Sequence, residues 1–177
     1  MSGFIELVKK RFSVRQYKSE PVDKEIILKI LEAGRLAPSA CNNQPWIFIV
    51  ITKPEIKNEL FCVYPKKWFI EAPVIVAACC DYSLAWHRSD GKCFGDIDVA
   101  ISLDHITLMA AEFGIGTCWI GNFNAKKAKE VLRLPDNIEV IAFTPLGYPE
   151  SSLNEKKRKP INQIVFWENY IKKPNNV

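Results

Sequence analysis

The chain has 177 residues, of which 48% are hydrophobic, and its formal net charge is +4. This length and composition predict one compact domain, residues 1–177, with a full hydrophobic core. No apolar run is long enough to span a bilayer, and the acidic opening segment Met1–Glu6 is unlike a signal peptide. We therefore expect a cytoplasmic protein without a membrane partner.

In chain order, the periodicity predicts a first amphipathic helix that ends at Lys10 and a second that runs from its N-cap Asp23 to about Arg35. Val22 and Ile27 have the spacing of a hydrophobic staple across that cap. Pro38 follows the helix end. Buried strands are predicted over 46–51 and 74–79, with a short helix between them that starts at Pro54 and runs to Phe61.

The second half continues with the longest helical pattern, 96–113, closed by Gly114 at the C′ position. A short strand over 117–120, a helix from about Asn124 to about Leu134 and a strand over 138–146 follow. The tail over 161–170 is apolar and aromatic, so we expect it to pack against another protein surface. Because helices and strands are interspersed without strict alternation, the predicted fold class is α+β.

Six cysteines and one basic run raise other classes of function. None of the cysteines forms a Cys-x-x-Cys pair, and Cys79 and Cys80 lie in an apolar run. They are expected to be reduced thiols that pack as small hydrophobic side chains, and no metal site is predicted. The basic run Lys156–Lys159 is short and lacks interleaved aromatic residues, so nucleic-acid binding is not predicted.

Two basic segments have the residue types that bind a phosphate. Arg11, Ser13 and Arg15 alternate, so in an extended segment they point to one side. Lys156 and Arg158 share that spacing. Arginine offers forked, charge-assisted hydrogen bonds that suit phosphate, although each segment alone could also be a solvated face.

The segment 37–46 is rich in small amides and hydroxyls between two prolines. Pro38, Ser39, Asn42 and Gln44 could read the edge of a heterocycle without bringing charge into the site, or could be ordinary turn chemistry. A segment suited to binding a phosphate and a segment suited to binding a heterocyclic ring, in one small chain, together suggest a nucleotide-like cofactor.

These segments resemble those of the nitroreductase family of flavin mononucleotide (FMN) enzymes, and the likeness runs from about residue 4 to residue 165. The motifs in family order are Arg-x-Ser-x-Arg at 11–15, Pro-Val at 21–22, Ala-Pro-Ser-x-x-Asn-x-Gln-Pro-Trp at 37–46, Asp-Ile-Asp-Val-Ala at 96–100, Gly-Ile-Gly-Thr-Cys-Trp-Ile-Gly at 114–121, Leu-Gly-Tyr-Pro at 146–149 and Lys-x-Arg-x-Pro at 156–160.

The resemblance implies a nitroreductase-like α+β fold, with a central mixed or antiparallel sheet flanked by helices, assembled as an intertwined homodimer. Residues 161–177 would form a C-terminal arm on the partner subunit. The residues that it implies for FMN are Arg11, Ser13, Arg15, Lys156 and Arg158 on the phosphate and pyrimidine side, and Pro38, Ser39, Asn42 and Gln44 from the neighbouring subunit. The backbone at Ile120 and Gly121 would lie beside the flavin N5 atom, and no catalytic side chain is expected.

The implied activity is ping-pong hydride transfer from NADH or NADPH, through FMN, to a small oxidant of the nitroaromatic or quinone type. The long loop 82–94 is read as either a surface loop or a substrate lid, with Tyr82, Trp86 and Phe94 as pocket residues and Trp68 and Phe69 as weaker candidates. Two alternatives stay open: a relative that uses flavin and oxygen to dehalogenate or cleave its substrate, and a flavin-binding module without turnover. A thiol enzyme based on Cys41 is a further alternative and is not favoured, because only His87 and His105 exist as partner histidines.

Overall fold

The computed structural model describes residues 3–150 and 156–170. Four of its strands form one sheet in the order β1-β2-β4-β3, and each neighbouring pair is antiparallel. The strands are β1 Trp46–Ile51, β2 Val74–Asp81, β3 Gly116–Thr117 and β4 Ile138–Gly147. Helices cover both faces of this sheet, so the α+β prediction is confirmed.

The described helices are α1 Phe4–Lys10, α2 Lys24–Arg35, α3 Pro54–Glu59, α4 Lys67–Glu71, α5 Gly95–Glu112 and α6 Ala125–Leu132. Single 3-10 turns occupy Ala40–Asn42, Leu60–Cys62 and Ile161–Gln163. In this part of the chain, no helix combines the length and apolarity needed to cross a membrane.

Helix α2 begins as its sequence predicts. The Asp23 side chain accepts a hydrogen bond of 2.7 Å from the Glu25 N–H, which satisfies a backbone donor of the first turn. Val22 and Ile27 on either side of this cap are both buried in the same core cluster. The cap and the staple are therefore confirmed, and they fix where the chain enters the helix.

Helix α5 is the central helix of the core. Its residues Val99, Leu103 and Ile106 are completely buried, which is expected of a helix that is apolar on most sides. It packs on α2 at Gly34, where an added Cβ would lie only 2.7 Å from the Ile106 side chain. Gly114, with φ of 72°, follows its C-cap as predicted.

Successive side chains of β2 point alternately into two core layers, one on each face of the sheet. Val74, Val76 and Ala78 face the layer that contains α2 and α5, whereas Ile75 and Ala77 face the layer that contains α4 and α6. The predicted burial of β2 is confirmed. The predicted burial of β1 is wrong, because β1 is an edge strand and its Val50 is 38% exposed.

Two more boundaries differ from the sequence prediction. The short strand predicted over 117–120 is the two-residue β3, after which Ile120 makes a separate antiparallel bridge to Phe143. Helix α4 was not predicted, because five residues give too few turns to show a period.

Much of the apolar surface near the two ends of the chain stays uncovered. Helix α1 has no buried residue, and in the tail Trp167 is 80% and Tyr170 75% exposed. Residues 171–177, the rest of the predicted arm, lie outside the described residues. Packing of the arm on a partner stays a prediction.

Candidate cofactor site

The segment that follows α1 is held along the edge of the sheet. The Val14 N–H donates to the Thr117 carbonyl at 2.8 Å, and Ser13 forms a parallel bridge with the same residue. The Val14 side chain is buried, whereas Ser13 and Arg15 are exposed. The extended, alternating conformation expected from Arg11 to Arg15 is therefore present, with the polar side chains on the outer side.

Tyr17 holds this segment in place through a hydrogen bond and a backbone bridge. Its hydroxyl donates a 2.7 Å hydrogen bond to the Val14 carbonyl, and its backbone bridges to Pro149. Burial raises the pKa of the Tyr17 phenol well above its usual range. Tyr17 therefore stays neutral and acts as a fixed hydrogen-bond donor.

The second basic segment lies against the first. The Lys156 ammonium donates to the Lys9 carbonyl in the last turn of α1 at 2.8 Å. Its pKa is lowered first by burial and then by the positive charges of Arg11 and Arg158. The structure thus brings Lys156 and Arg158 next to Arg11, although more than a hundred residues separate them.

Cys118 lies beneath the same side chains. Burial raises the pKa of its thiol, while the charge of Arg15, a hydrogen bond with Ser13 and the charge of Arg11 act in the opposite direction.

We call Arg11, Ser13, Arg15, Lys156 and Arg158 the cationic cluster. Among residues 3–150 and 156–170, none of its four cations takes part in an ion pair.

The backbone at Ile120 and Gly121 follows β3 at the same edge of the sheet. The Ile120 N–H donates to the Phe143 carbonyl at 2.9 Å, so it is not available to a ligand. Gly121 is exposed, and an added Cβ would meet no atom within 4 Å. Of the two predicted backbone positions, Gly121 is the one whose N–H donates no backbone hydrogen bond to a described residue.

Residues 38–44, which we call the amide loop, precede β1 at the other edge of the sheet. The Ser39 hydroxyl oxygen accepts the Gln44 N–H at 2.9 Å, and the Gln44 side-chain amide donates to the Asn42 carbonyl at 3.3 Å. The Ala40 N–H donates to the Asp98 carboxylate at 3.0 Å. The loop presents exposed amides at Asn42 and Gln44 and carries no charge.

One chain does not bring the cationic cluster and the amide loop together. The amide loop contacts Asp98 near the start of α5, whereas a cavity of about 100 Å³ beside Arg11 is lined by Ala111 near the end of α5. At a rise of about 1.5 Å per residue, Asp98 and Ala111 are about 20 Å apart. The two sets of predicted residues therefore form separate half-sites at opposite edges of the sheet.

Residues 82–94 form an ordered hairpin beside the amide loop, which we call the aromatic hairpin. Trp86 and Phe94 pack edge to face with ring centroids 5.0 Å apart, and His87 bridges to Cys93. The Leu84 carbonyl accepts a 2.9 Å hydrogen bond from the Asn43 side chain of the amide loop. The hairpin and the amide loop are thus a single surface unit.

The candidate pocket residues separate into two groups. Tyr82, Trp86 and Phe94 are half-buried on the aromatic hairpin, where Tyr82 donates to Asp96 at 2.6 Å. Phe69 is fully buried and packs on Phe143 on the other face of the sheet, with Trp68 at its edge. The expectation that Phe69 lines a substrate pocket is wrong for this reason, since its ring has no accessible surface.

The thiol alternative has no support from the geometry of the histidines. His105 is bonded to the Ile101 carbonyl of its own helix at 2.9 Å, and His87 to the Ala85 carbonyl at 3.2 Å. Neither histidine is hydrogen-bonded to the exposed Cys41. In the described ranges, no group of three or more His, Cys, Asp or Glu side chains could hold a metal ion.

Comparison with known proteins places this α+β fold in a family. The model of the Nitroreductase family matches residues 8–64 and 61–148. A protein of Methanothermobacter thermautotrophicus, named as an NADH dehydrogenase/NAD(P)H nitroreductase, is 34% identical over 150 residues, which are 82% of this chain and 76% of that protein. An NADPH-dependent oxidoreductase of Staphylococcus aureus strain N315 is 26% identical and covers 96% of this chain and 75% of its own.

A solved structure gives the same result. The crystal structure of a nitroreductase family protein from Clostridium difficile 630 superposes with a TM-score of 0.89 at 36% sequence identity, covering 95% of this chain and 99% of that one. The chain belongs to the nitroreductase family.

The sequence pointed to the five cationic-cluster residues but not to Asp98, Tyr17 or Cys118 as parts of the two half-sites. Asp98 lies in the first turn of α5, and its hydrogen bond with the Ala40 N–H spans 58 positions. A buried acid on an otherwise apolar helix is the signal that could have singled it out.

Proposed function

We propose that the chain is an FMN-dependent oxidoreductase that takes a hydride from NADH or NADPH and passes it to a small acceptor of the nitroaromatic or quinone type. The observation that carries this proposal is the cationic cluster, in which four cations and a hydroxyl converge without a described carboxylate partner. The family, and the names NAD(P)H nitroreductase and NADPH-dependent oxidoreductase among its members, support an oxidoreductase.

The donor set fits the terminal phosphate of FMN. A phosphate monoester carries about −1.5 to −2 charges at neutral pH, which matches a site rich in guanidinium groups. The lowered pKa of Lys156 supports this fit, because an anion bound there would offset the repulsion from Arg11 and Arg158. FMN is preferred to FAD because the chain has no Gly-rich pyrophosphate loop between a strand and a helix.

We further propose that the complete site forms between two copies of the chain. A two-fold axis would place the cationic cluster of each copy beside the amide loop of the other and would create two equivalent sites. The exposed Trp167 and Tyr170 of the arm, residues 161–177, supply apolar surface for such an interface. The rest of the chain would be a single domain.

The roles of the chain's own residues follow from these positions. Arg11, Arg15 and Arg158 would bind the phosphate, and the Gly121 N–H would donate to the ring. Asn42 and Gln44 would hydrogen-bond the ring edge without adding charge. When bound, FMN supplies the capacity to accept a hydride and release it again.

The aromatic hairpin would form the wall of a slot that the nicotinamide and the oxidant occupy in turn. Tyr82, Trp86 and Phe94 offer flat apolar surface there, which suits both a nicotinamide and an aromatic acceptor. Alternating use of one slot predicts ping-pong kinetics.

The decisive experiment has a binding part and a kinetic part. Mass spectrometry of the chromophore released by heat should identify FMN. Anaerobic titration with NADH and then NADPH, read by bleaching of the flavin, should show which one reduces it. With a quinone as acceptor, double-reciprocal plots should give parallel lines. A purified chain that cannot bind added FMN would disprove the proposal, and bound FMN without turnover would indicate a flavin-binding module instead.

A further inference from the structure

Three residues of the amide loop have a left-handed backbone although none is glycine. The φ angles are 51° at Cys41, 57° at Asn42 and 52° at Gln44. Residues with a Cβ adopt this conformation at a cost in energy, and clusters of such residues persist only where surrounding contacts impose them. The question is which contact imposes them here.

Side-chain hydrogen bonds that tie this loop to the rest of the described chain come from two places. Asn43 bonds the Leu84 carbonyl, which itself belongs to a surface turn. The Ala40 N–H bonds the Asp98 carboxylate at 3.0 Å, and Asp98 is on α5 in the centre of the core. The bond to Asp98 is the one that connects the loop to a rigid element.

Asp98 is an unusual residue for this position. It is 2% exposed, and its second carboxylate oxygen is buried without a hydrogen-bond partner among the described residues. Burying a carboxylate with an unused acceptor destabilises a protein, so such groups usually have a specific role. The N-terminal end of the α5 dipole reduces the cost but does not supply the missing partner.

We propose that Asp98 is a positioning residue that holds the amide loop in its left-handed conformation, so that Ser39, Asn42 and Gln44 are presented to the cofactor ring. It acts through the Ala40 N–H and does not itself touch the cofactor. This inference rests on the proposed function, because it assumes that the amide loop contacts a bound ring.

Replacing Asp98 tests the role from the acceptor side. D98A removes the acceptor, and we expect it to weaken FMN binding roughly tenfold. D98N keeps one acceptor oxygen for the Ala40 N–H, and it should recover an affinity within about threefold of the original chain. D104A is the matched control, because Asp104 is an exposed acid of the same helix. Its FMN affinity should be unchanged.

A second variant tests the same hydrogen bond from the donor side and leaves Asp98 intact. Ala40 is the first residue of a 3-10 turn, where proline fits and its missing N–H matters least to the turn itself. Ser39 before it is extended, with φ of −139° and ψ of 160°, as a residue preceding proline must be. A40P preserves the conformation of the turn, but it leaves the buried Asp98 carboxylate without a described partner, so its melting temperature should fall. In the folded protein it should weaken FMN binding at least as much as D98A. It also replaces D98A if that variant does not fold.

The outcomes separate this inference from the proposed function. A merely structural role for Asp98 would lower the melting temperature in D98A and D98N alike and leave FMN affinity unchanged in both. R15A should bind FMN weakly in every case in which the proposed function holds. If A40P then binds FMN as tightly as the original chain, or if D98N binds it as weakly as D98A, the positioning role of Asp98 is wrong. If R15A binds FMN as tightly as the original chain, the proposed function itself fails.

Discussion

The cationic cluster and the amide loop recognise a ligand by different means. The cluster gathers four cations that make no ion pair with a described residue, and its first segment is held on the sheet by Val14 and Tyr17. The amide loop has no charge and three left-handed residues, and its link to the core is one hydrogen bond to Asp98.

This difference shows how binding and selectivity can be divided. Charge-assisted hydrogen bonds contribute about twice as much as neutral ones, so the cluster should dominate affinity. Neutral amides depend on angle and distance, so the loop should decide how the ring is oriented. Removing each part in turn tests this division.

The largest effect is expected from removing the arm that we propose joins two copies. A chain that ends at Pro160 loses Ile164, Trp167 and Tyr170, and burying each such side chain contributes about 1.5–3 kcal/mol. Dimer association should weaken on the order of 5–9 kcal/mol for each arm removed. Sedimentation velocity and flavin content should be measured on the same sample.

A chain that ends at Tyr170 is the matched control, since it keeps these three side chains. The Pro160 form should still unfold cooperatively, because the removed residues 161–170 add no buried side chain to the described core. If it is monomeric and still binds one FMN per chain, the shared-site proposal is wrong.

Next in size is the loss of two guanidinium groups from the cationic cluster. R15A/R158A removes two charge-assisted contacts worth about 1.5–3 kcal/mol each, so FMN affinity should fall about a hundredfold to ten-thousandfold. R15A alone should account for roughly tenfold to a hundredfold. The melting temperature without FMN should hardly change, because both side chains are exposed.

Fluorescence titration of FMN measures this loss. K24A/K29A removes the same amount of charge from the exposed side of α2 and serves as the control. Equal losses in the two double variants would mean that the cluster acts only through the net charge of the protein.

A smaller effect is expected from the amide loop. Glycine accommodates the positive φ at Asn42 and Gln44, so N42G/Q44G removes the side chains without adding strain. Two neutral hydrogen bonds contribute about 0.5–1.5 kcal/mol each, so FMN affinity should fall about fivefold to a hundredfold.

Mixing the two double variants tests whether the half-sites combine between copies. If each site uses the cluster of one chain and the loop of the other, a dimer of R15A/R158A with N42G/Q44G contains one intact site. After random reassociation, about a quarter of all sites should bind FMN with the original affinity. A mixture that binds no better than its parents would show that each site belongs to one chain.

Much of the local structure could be predicted from the sequence because its signals are local. The N-cap Asp23, the C′ glycine Gly114 and the alternation Arg11 to Arg15 each depend on a few neighbouring residues, and each is present as expected. The cluster could also be predicted, since its two segments carry a recognisable spacing. The prediction that residues 11–15 and 156–158 come together in one site was based on the family resemblance.

What could not be predicted depends on tertiary position. β1 has an apolar sequence like that of β2, but it lies at the edge of the sheet and is partly exposed. Phe69 was a candidate pocket residue, whereas its ring is buried in the core and packs on Phe143. Asp98 and Ala40 are 58 positions apart, so no local pattern links them.

The smallest predicted effect concerns the pH range over which the cationic cluster binds. The pKa of Lys156 is lowered by burial, Arg11 and Arg158, and a bound phosphate would raise it again. Lys156 therefore contributes to affinity fully below its pKa in the free chain, and this contribution is lost as pH rises through its pKa in the complex. The alkaline loss should be about twofold to fivefold.

K156R separates this contribution from all other titrations. Arginine keeps its proton throughout the accessible range, so the alkaline loss of FMN affinity should flatten in this variant. The decline below about pH 6, where the phosphate takes up its second proton, should be the same in both chains and serves as an internal control. Fluorescence titrations from about pH 5 to pH 10 measure both limbs. An alkaline limb that K156R leaves unchanged would place Lys156 outside the phosphate site and leave Arg11, Arg15 and Arg158 as its cations.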